Sequence, residues 1–295
     1  MGVGEEFFQF KMRYDIDAAL ISSISARYRR ITRQLNTDFW STSSDTAHSL
    51  YVGSYGRNTA AAGLSDLDVG FMLPTALFHR YNAYFGNGQS ALLQAVKQSI
   101  RRTYATSESF GDGQVVVIQF VDGIKFEILP VFQHRDGKSW VYPNANAGGR
   151  WRTCNPRAEI DAVRTRNLAT NRNLYYLCRM MRVWRDYHGV PISGMLIDTL
   201  AYQFMATYEY RDKSFLYHDF MSRDFFRFLA LQDRTKNYWR APGSGATVTR
   251  SGGFERHAKA AYDLALQAIQ HNDNSQAWSR RRKWREIFGP RFPAP

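Results

Sequence analysis

Between residues 14 and 39, apolar side chains recur at helical spacing: Ile16, Ala19, Leu20, Ile24, Tyr28, Ile31 and Leu35. Arg29, Arg30 and Arg33 fall largely on other faces. That period predicts one long amphipathic helix, packed on one side and solvated on the other. Residues 50–52 then read as a short strand and 66–73 as a longer one. Pro74 ends the second, since proline lacks the N–H that a central ladder needs. A helix is predicted over 88–103 from Leu92, Leu93, Val96 and Ile100. Two β-rich runs follow, 115–121 and 124–132, joined by Asp122-Gly123, a dipeptide suited to a tight hairpin. Residues 142–156, rich in Asn, Gly and Pro, predict a long surface loop and a domain border.

Past Pro156 the pattern turns helical, with helices predicted over 157–168, 172–188, 193–207, 219–232 and 254–271 and a Gly/Ser-rich loop over 241–253. In 172–188, Leu174, Leu177, Met181 and Trp184 share one face, and Arg172, Arg179, Arg182 and Asp186 roughly the opposite one. The expected organisation is a mixed α/β lobe over 1–155, including the long N-terminal helix, followed by a helical lobe over 156–295. The fold class is therefore α+β.

Of 295 residues, 44% are hydrophobic and 15% aromatic, enough for real cores, which excludes global disorder. The two cysteines, Cys154 and Cys178, form no CxxC pair, and the seven histidines are scattered. A disulfide framework and a structural zinc site are excluded on that count, and a reducing cytoplasm fits. No apolar stretch reaches 18 residues, and residues 1–11 lack the apolar core of a signal peptide. A soluble, cytoplasmic, monomeric chain with no membrane partner is expected. The net charge of +13 favours polyanions, whether nucleoside triphosphates, nucleic acid or an anionic membrane, and equally fits a plain solvated basic surface; charge alone does not separate these. Arginine dominates the surplus, and its planar fork suits phosphate.

The chemistry concentrates in one stretch. Gly53-Ser54-Tyr55-Gly56-Arg57-Asn58-Thr59 is followed closely by Asp66-Leu67-Asp68. Strand residues i and i+2 share a face, so Asp66 and Asp68 are expected to point together, with Leu67 turned into the core. Two like charges so close call for a cation, and oxygen ligands suit Mg²⁺. The Gly53-Ser54 turn offers backbone N–H groups and a hydroxyl to a phosphate. Glu127, acidic within the apolar run 124–130, is the candidate third carboxylate of a two-metal site. The bland reading pairs it with a nearby arginine or sets it on a wet edge strand.

These motifs resemble the polymerase-β-like nucleotidyltransferase superfamily. More narrowly, they resemble the cGAS/DncV-like nucleotidyltransferases (CD-NTases) of bacterial CBASS anti-phage defence. Gly53 to Thr59 is similar to that family's GS-Y-x-R-G-T turn, Ser65-Asp66-Leu67-Asp68-Val69 to its S-D-[IL]-D-[LV] strand, and Phe126-Glu127-Ile128-Leu129-Pro130 to its third-carboxylate strand. Residues 151–156, the Arg179-to-Trp184 helix, Pro191-Ile192-Ser193-Gly194, Ala277-Trp278 and Ile287-Phe288-Gly289 resemble its helical half and C-terminal end. Three positions depart from the pattern: Asn58 replaces a glycine, Glu127 an aspartate, and Arg182 a lysine.

The resemblance implies a polymerase-β-like fold with a central sheet, an OAS-like helical lobe and an active site in the cleft. It implies Mg²⁺, with Mn²⁺ as a substitute, bridging Asp66, Asp68 and Glu127, and ATP and other NTPs as substrates. Gly53 and Ser54 would hold the β/γ-phosphates; Arg179 or Arg182, with Ser193, would clamp the triphosphate. The expected product is a cyclic di- or trinucleotide second messenger, passed to a downstream effector. An activating RNA or protein partner stays open, as do two other functions: nucleotide addition to RNA, a small molecule or protein, and a non-catalytic nucleic-acid-binding module. Plainer roles stand beside the accessory ones. Ser193 suits a helix N-cap, Arg179 and Arg182 a solvated face, Tyr238-Trp239 a core or a base stack, and Arg280 to Arg285 a solvated or nucleic-acid-binding helix end.

Overall fold

A computed structural model describes residues 2–64, 66–271 and 274–295. Ser65, first residue of the acidic strand motif, lies outside the described residues. The chain opens with α1 (Val3–Tyr14), α2 (Ala18–Trp40), β1 (Ser49–Tyr51), α3 (Gly53–Gly56), β2 (Asp66–Met72), α4 (Thr75–Asn82) and α5 (Gly88–Thr103). It continues with β3 (Glu108–Asp112), β4 (Val115–Gln119), β5 (Lys125–Gln133), β6 (Trp140–Asn144), β7 (Arg150–Cys154), α6 (Pro156–Leu168) and α7 (Asn173–His188). The last elements are α8 (Gly194–Thr207), α9 (His218–Ala230), β8 (Tyr238–Arg240), β9 (Thr247–Thr249), α10 (Glu255–Gln270) and α11 (Ala277–Phe288). None of the described helices is long and apolar enough to cross a membrane.

The chain forms two compact units. The sheet unit comprises residues 17–56 and 63–157; the helical unit comprises 1–16, 57–62 and 158–295.

The sheet unit is built on a seven-stranded mixed sheet in the order β1-β2-β5-β4-β3, with β6 beside β5 and β7 beside β6. Among the described residues of this sheet the β2–β5 pair is parallel and the other pairs run antiparallel. Alternate residues Leu67, Val69 and Phe71 of β2 and Phe126 and Ile128 of β5 face a core shared with Ile24, Ile31 and Leu35 of α2 and Leu92, Val96 and Ile100 of α5. The predicted β4–β5 hairpin forms, with Gly123 at φ +86° in its turn.

Two local expectations for this unit change. The helix expected over 14–39 starts at Ala18, because Asp17 caps it by accepting from Leu20 N at 2.8 Å. The loop expected over 142–156 is largely the β6–β7 hairpin, with Trp140 paired to Cys154 and Asn144 to Arg150. Asn146, Gly148 and Gly149 belong to the turn, where Ala147, Gly148 and Gly149 all take positive φ.

The helical unit closes around an aromatic core. Phe7 and Phe10 of α1 pack edge-on or tilted against Trp284, Phe288 and Phe292. Beneath them, the fully buried Glu6 accepts from Arg280 at 2.8 and 3.0 Å. Arg280 is thus an internal structural cation, not part of a solvated or nucleic-acid-binding end. Ala258, Ala261, Ala265 and Ala268 form a small-residue stripe on α10, which lets α9 approach closely. The Gly/Ser-rich segment 241–253 contains β9, paired with β8 across a turn holding Gly243 and Gly245 at positive φ. There Trp239 is buried and Tyr238 half exposed.

The boundary near residue 155 has a counterpart at 157/158, but residues 1–16 and 57–62 group with the helical unit rather than with a lobe over 1–155. The reason is packing at long range. The apolar face of α1 finds its partners near the C-terminus, which no local periodicity announces.

Candidate active site

The parallel register between β2 and β5 sets Asp66 opposite Lys125 and Asp68 opposite Glu127. Because side chains alternate along strands, these four residues share the face opposite the Leu67 and Phe126 core. Glu127 lies on a strand flanked on both sides, by β2 and β4, and is partly exposed rather than buried or on an edge.

The turn before β2 presses onto this cluster. Val52 N donates to Asp68 O at 2.9 Å, fixing the start of α3 beside the strand. Gly53 takes φ +59°, and a Cβ there would stand 1.8 Å from Asp68 Oδ2. Only glycine fits both the conformation and the space. Next to it come Ser54 and, at the head of the following segment, Asn58 with φ 58°. Asparagine thus fills the glycine position of the motif in the left-handed conformation it tolerates best among non-glycine residues.

Lys125 is the feature that the motif reading did not contain. Its Nζ lies 3.0 Å from Asp66 Oδ1 and 3.2 Å from Glu127 Oε1. Hydrogen bonds to Asp66 and Glu127 hold its pKa above the ordinary lysine value, so it is a cation at any working pH. The signal was available: Lys125 stands two residues before Glu127, hence on the same strand face.

The donor set suits a hard divalent cation, being all carboxylate oxygen on one face of adjacent strands. An ammonium group already bridges two of the carboxylates, which shows that this face accepts positive charge. As they stand, no three acidic, His or Cys side chains among the described residues are gathered closely enough to hold a metal ion.

The accessory residues lie in the helical unit, and the fold gives them other partners. Arg182 is 4% exposed and donates to Asp198 Oδ1 at 2.6 Å and Oδ2 at 3.0 Å. It is not on an open helix face, and binding a triphosphate would break this pair. Arg179 is engaged by Asp15 Oδ1 at 2.8 Å and by Asn58 Oδ1 at 2.7 Å. Ser193 caps α8, accepting from Leu196 N at 3.1 Å.

Asp198 was not foreseen as a site residue. It lies in a helix window otherwise nearly free of charge, and a lone carboxylate among apolar residues was the available signal. Besides Arg182, it receives Arg57 Nε at 3.0 Å and Thr59 Oγ1 at 2.8 Å. Burial pushes its carboxyl pKa up, but Arg182 and Arg57 outweigh that and hold it below the ordinary range. Arg57 also pairs with Glu159 at 3.4 Å. The motif arginine is therefore a buried anchor.

The family model for the Second Messenger Oligonucleotide or Dinucleotide Synthetase domain matches residues 1–167. Among solved structures, CdnC of E. coli MS115-1 in a complex with HORMA-deltaN is similar at TM-score 0.67 and 13% identity, over 98% of each chain. CdnG of Bradyrhizobium diazoefficiens in complex with GTP is similar at TM-score 0.66 and 12% identity, over 98% of this chain and 96% of that one. The DncV cyclic AMP-GMP synthase of Vibrio cholerae, with the linear intermediate pppA(3′,5′)pG, is similar at TM-score 0.64 and 14% identity, over 83% of this chain and 70% of that one. No curated protein gives a significant match.

Proposed function

The chain belongs to the second messenger oligonucleotide or dinucleotide synthetase family and is a nucleotidyltransferase; we propose that it makes cyclic di- or trinucleotides from ATP and other NTPs by two-metal transfer, in anti-phage signalling. The observation that supports this reading most is the placement of Asp66, Asp68 and Glu127 on one strand face, with the Gly53 backbone against Asp68.

Asp66, Asp68 and Glu127 would hold Mg²⁺, or Mn²⁺ in its place. When bound, the metal neutralises triphosphate charge and favours ionisation of the attacking hydroxyl. Gly53, through its backbone, and Ser54, through its hydroxyl, would bind the β/γ-phosphates of the donor. Arg179 is the remaining candidate in the helical unit for a triphosphate contact, since Arg182 is committed to Asp198. Ser193 would act through the helix start that it caps. Holding the donor fixed orients its α-phosphorus for attack by an acceptor ribose hydroxyl, with pyrophosphate leaving. A second round on the linear product closes the ring.

The test is to incubate purified protein with labelled NTPs and Mg²⁺ or Mn²⁺, treat with phosphatase and resolve the products. Phosphatase-resistant species are expected from the wild type, and none from Asp66→Ala/Asp68→Ala with the fold intact. Label transferred to added RNA instead would move the activity to polynucleotide modification. Full activity in the double variant would remove these carboxylates from the reaction.

A further inference from the structure

Lys125 combines two properties that a surface lysine lacks. It is fixed by the β2–β5 register opposite Asp66, two residues before Glu127, and its ammonium nitrogen touches both carboxylates. At the same time, the described residues hold no ready three-ligand group, although three carboxylates occupy one face. One cause accounts for both facts. An internal cation already sits between two of the acidic side chains and satisfies them in the geometry an ammonium prefers. A divalent ion needs the same oxygen atoms, at shorter distance.

We propose that Lys125 is a built-in countercation, which neutralises Asp66 and Glu127 when no metal is bound and must be displaced for a divalent ion to bind. It is a positioning residue, acting on the reaction through the carboxylates. This rests on the reading of Asp66, Asp68 and Glu127 as metal ligands. Its consequence is that the site binds free divalent metal weakly, and that metal entry carries with it an outward movement of one lysine side chain. Each partly exposed ion pair contributes modestly, so two pairs predict a competition of roughly 3- to 10-fold in metal affinity.

The experiment measures Mn²⁺ binding to the full chain without nucleotide, from the loss of the free-Mn²⁺ electron paramagnetic resonance signal. Wild type, Lys125→Met, Lys125→Gln and Lys125→Arg are compared, with Asp68→Asn as the control for the site. Lys125→Met and Lys125→Gln are expected to bind Mn²⁺ about 3- to 10-fold more tightly than wild type, while Lys125→Arg keeps wild-type affinity. In EDTA the two neutral variants should melt below wild type, and Mn²⁺ should close that gap. Site-specific Mn²⁺ binding that is unchanged or weaker in both neutral variants overturns the proposal and leaves the metal site standing. Weaker nucleotide binding with unaltered Mn²⁺ affinity also overturns it, making Lys125 a phosphate ligand. Absence of any Mn²⁺ binding sensitive to Asp68→Asn removes the metal-site reading itself, and the proposal with it.

Discussion

Arg57 donates through Nε to Asp198 Oδ2 at 3.0 Å, joining residues 141 positions apart in the chain. Arg182 reaches the same carboxylate from α7, and Thr59 supplies a third donor. The segment that directly follows the Gly53-Ser54 turn is therefore anchored on a buried, fully paired carboxylate. Removing it should leave the Arg182 guanidinium in a low-dielectric interior without its paired carboxylate, and Arg57 with only Glu159 at 3.4 Å. Asp198→Ala is expected to cost about 3–5 kcal/mol, and Asp198→Asn less, since its amide oxygen still accepts. Urea unfolding checks this. A loss below about 1 kcal/mol for Asp198→Ala would mean that solvent reaches the cluster.

Gly53→Ala should separate stability from activity. The new methyl would meet Asp68 Oδ2 at 1.8 Å in a backbone already at φ +59°. Either the turn or the carboxylate must shift, by more than reactive geometry tolerates. Product formation is expected to fall about 100-fold or more, with a stability loss of about 1–3 kcal/mol. Near-normal turnover of a folded variant would show that the turn adapts without moving Asp68.

Asn58 tests the departure from the glycine pattern. Its φ of 58° suits glycine and asparagine and disfavours β-branched residues. Asn58→Val is expected to destabilise by about 1–3 kcal/mol, also losing the Oδ1 contact to Arg179 at 2.7 Å. Asn58→Gly keeps the conformation and loses only the side-chain contacts, to Arg179 and Tyr175, so its thermal unfolding should lie clearly closer to wild type. Equal losses in the two variants would assign the effect to the lost side-chain contacts rather than to the backbone conformation.

His218 is expected to make the helical unit acid-sensitive. Its Nε2 donates to Asn173 Oδ1 at 2.9 Å, its Nδ1 is buried without a hydrogen-bond partner, and burial pushes its pKa down to about 3. The folded state keeps the ring neutral while the unfolded chain protonates near 6.5, so stability is lost as pH falls between these values. Neighbouring Asp219, raised to about 6 by burial, acts oppositely: its ionised form costs stability at high pH, and that cost disappears as pH falls toward 4. Replacing His218 by Gln isolates the histidine. Between pH 6 and 4 the stability difference should move in favour of His218→Gln by up to about 1.4 kcal/mol per pH unit. A difference independent of pH would mean that the ring is protonated in the folded protein.

Much of the candidate site was legible in the chain because its information is local. A strand period of two puts Asp66 and Asp68 on one face, and Gly53 and Asn58 announce the positive φ that their turn requires. The helices over 88–103 and 172–188 likewise carry their own apolar stripes. The β6–β7 hairpin was hidden because its turn residues, Asn146 to Gly149, gave the whole segment the composition of a loop.

What the sequence alone determined was the α+β class, the acidic strand motif and the nucleotidyltransferase chemistry it implies, since each follows from neighbours in the chain. Which residues meet across it was decided by the tertiary structure. The β2–β5 register brought Lys125 between Asp66 and Glu127. Packing of α1 against Trp284 and Phe288 carried the N-terminus into the helical unit. Burial at Asp198 paired Arg182, a triphosphate-clamp candidate, and Arg57, a residue of the motif turn, with one carboxylate. In each case the partner is far away in sequence, and the free energy of pairing or burying a charge depends on that partner, which no local pattern encodes.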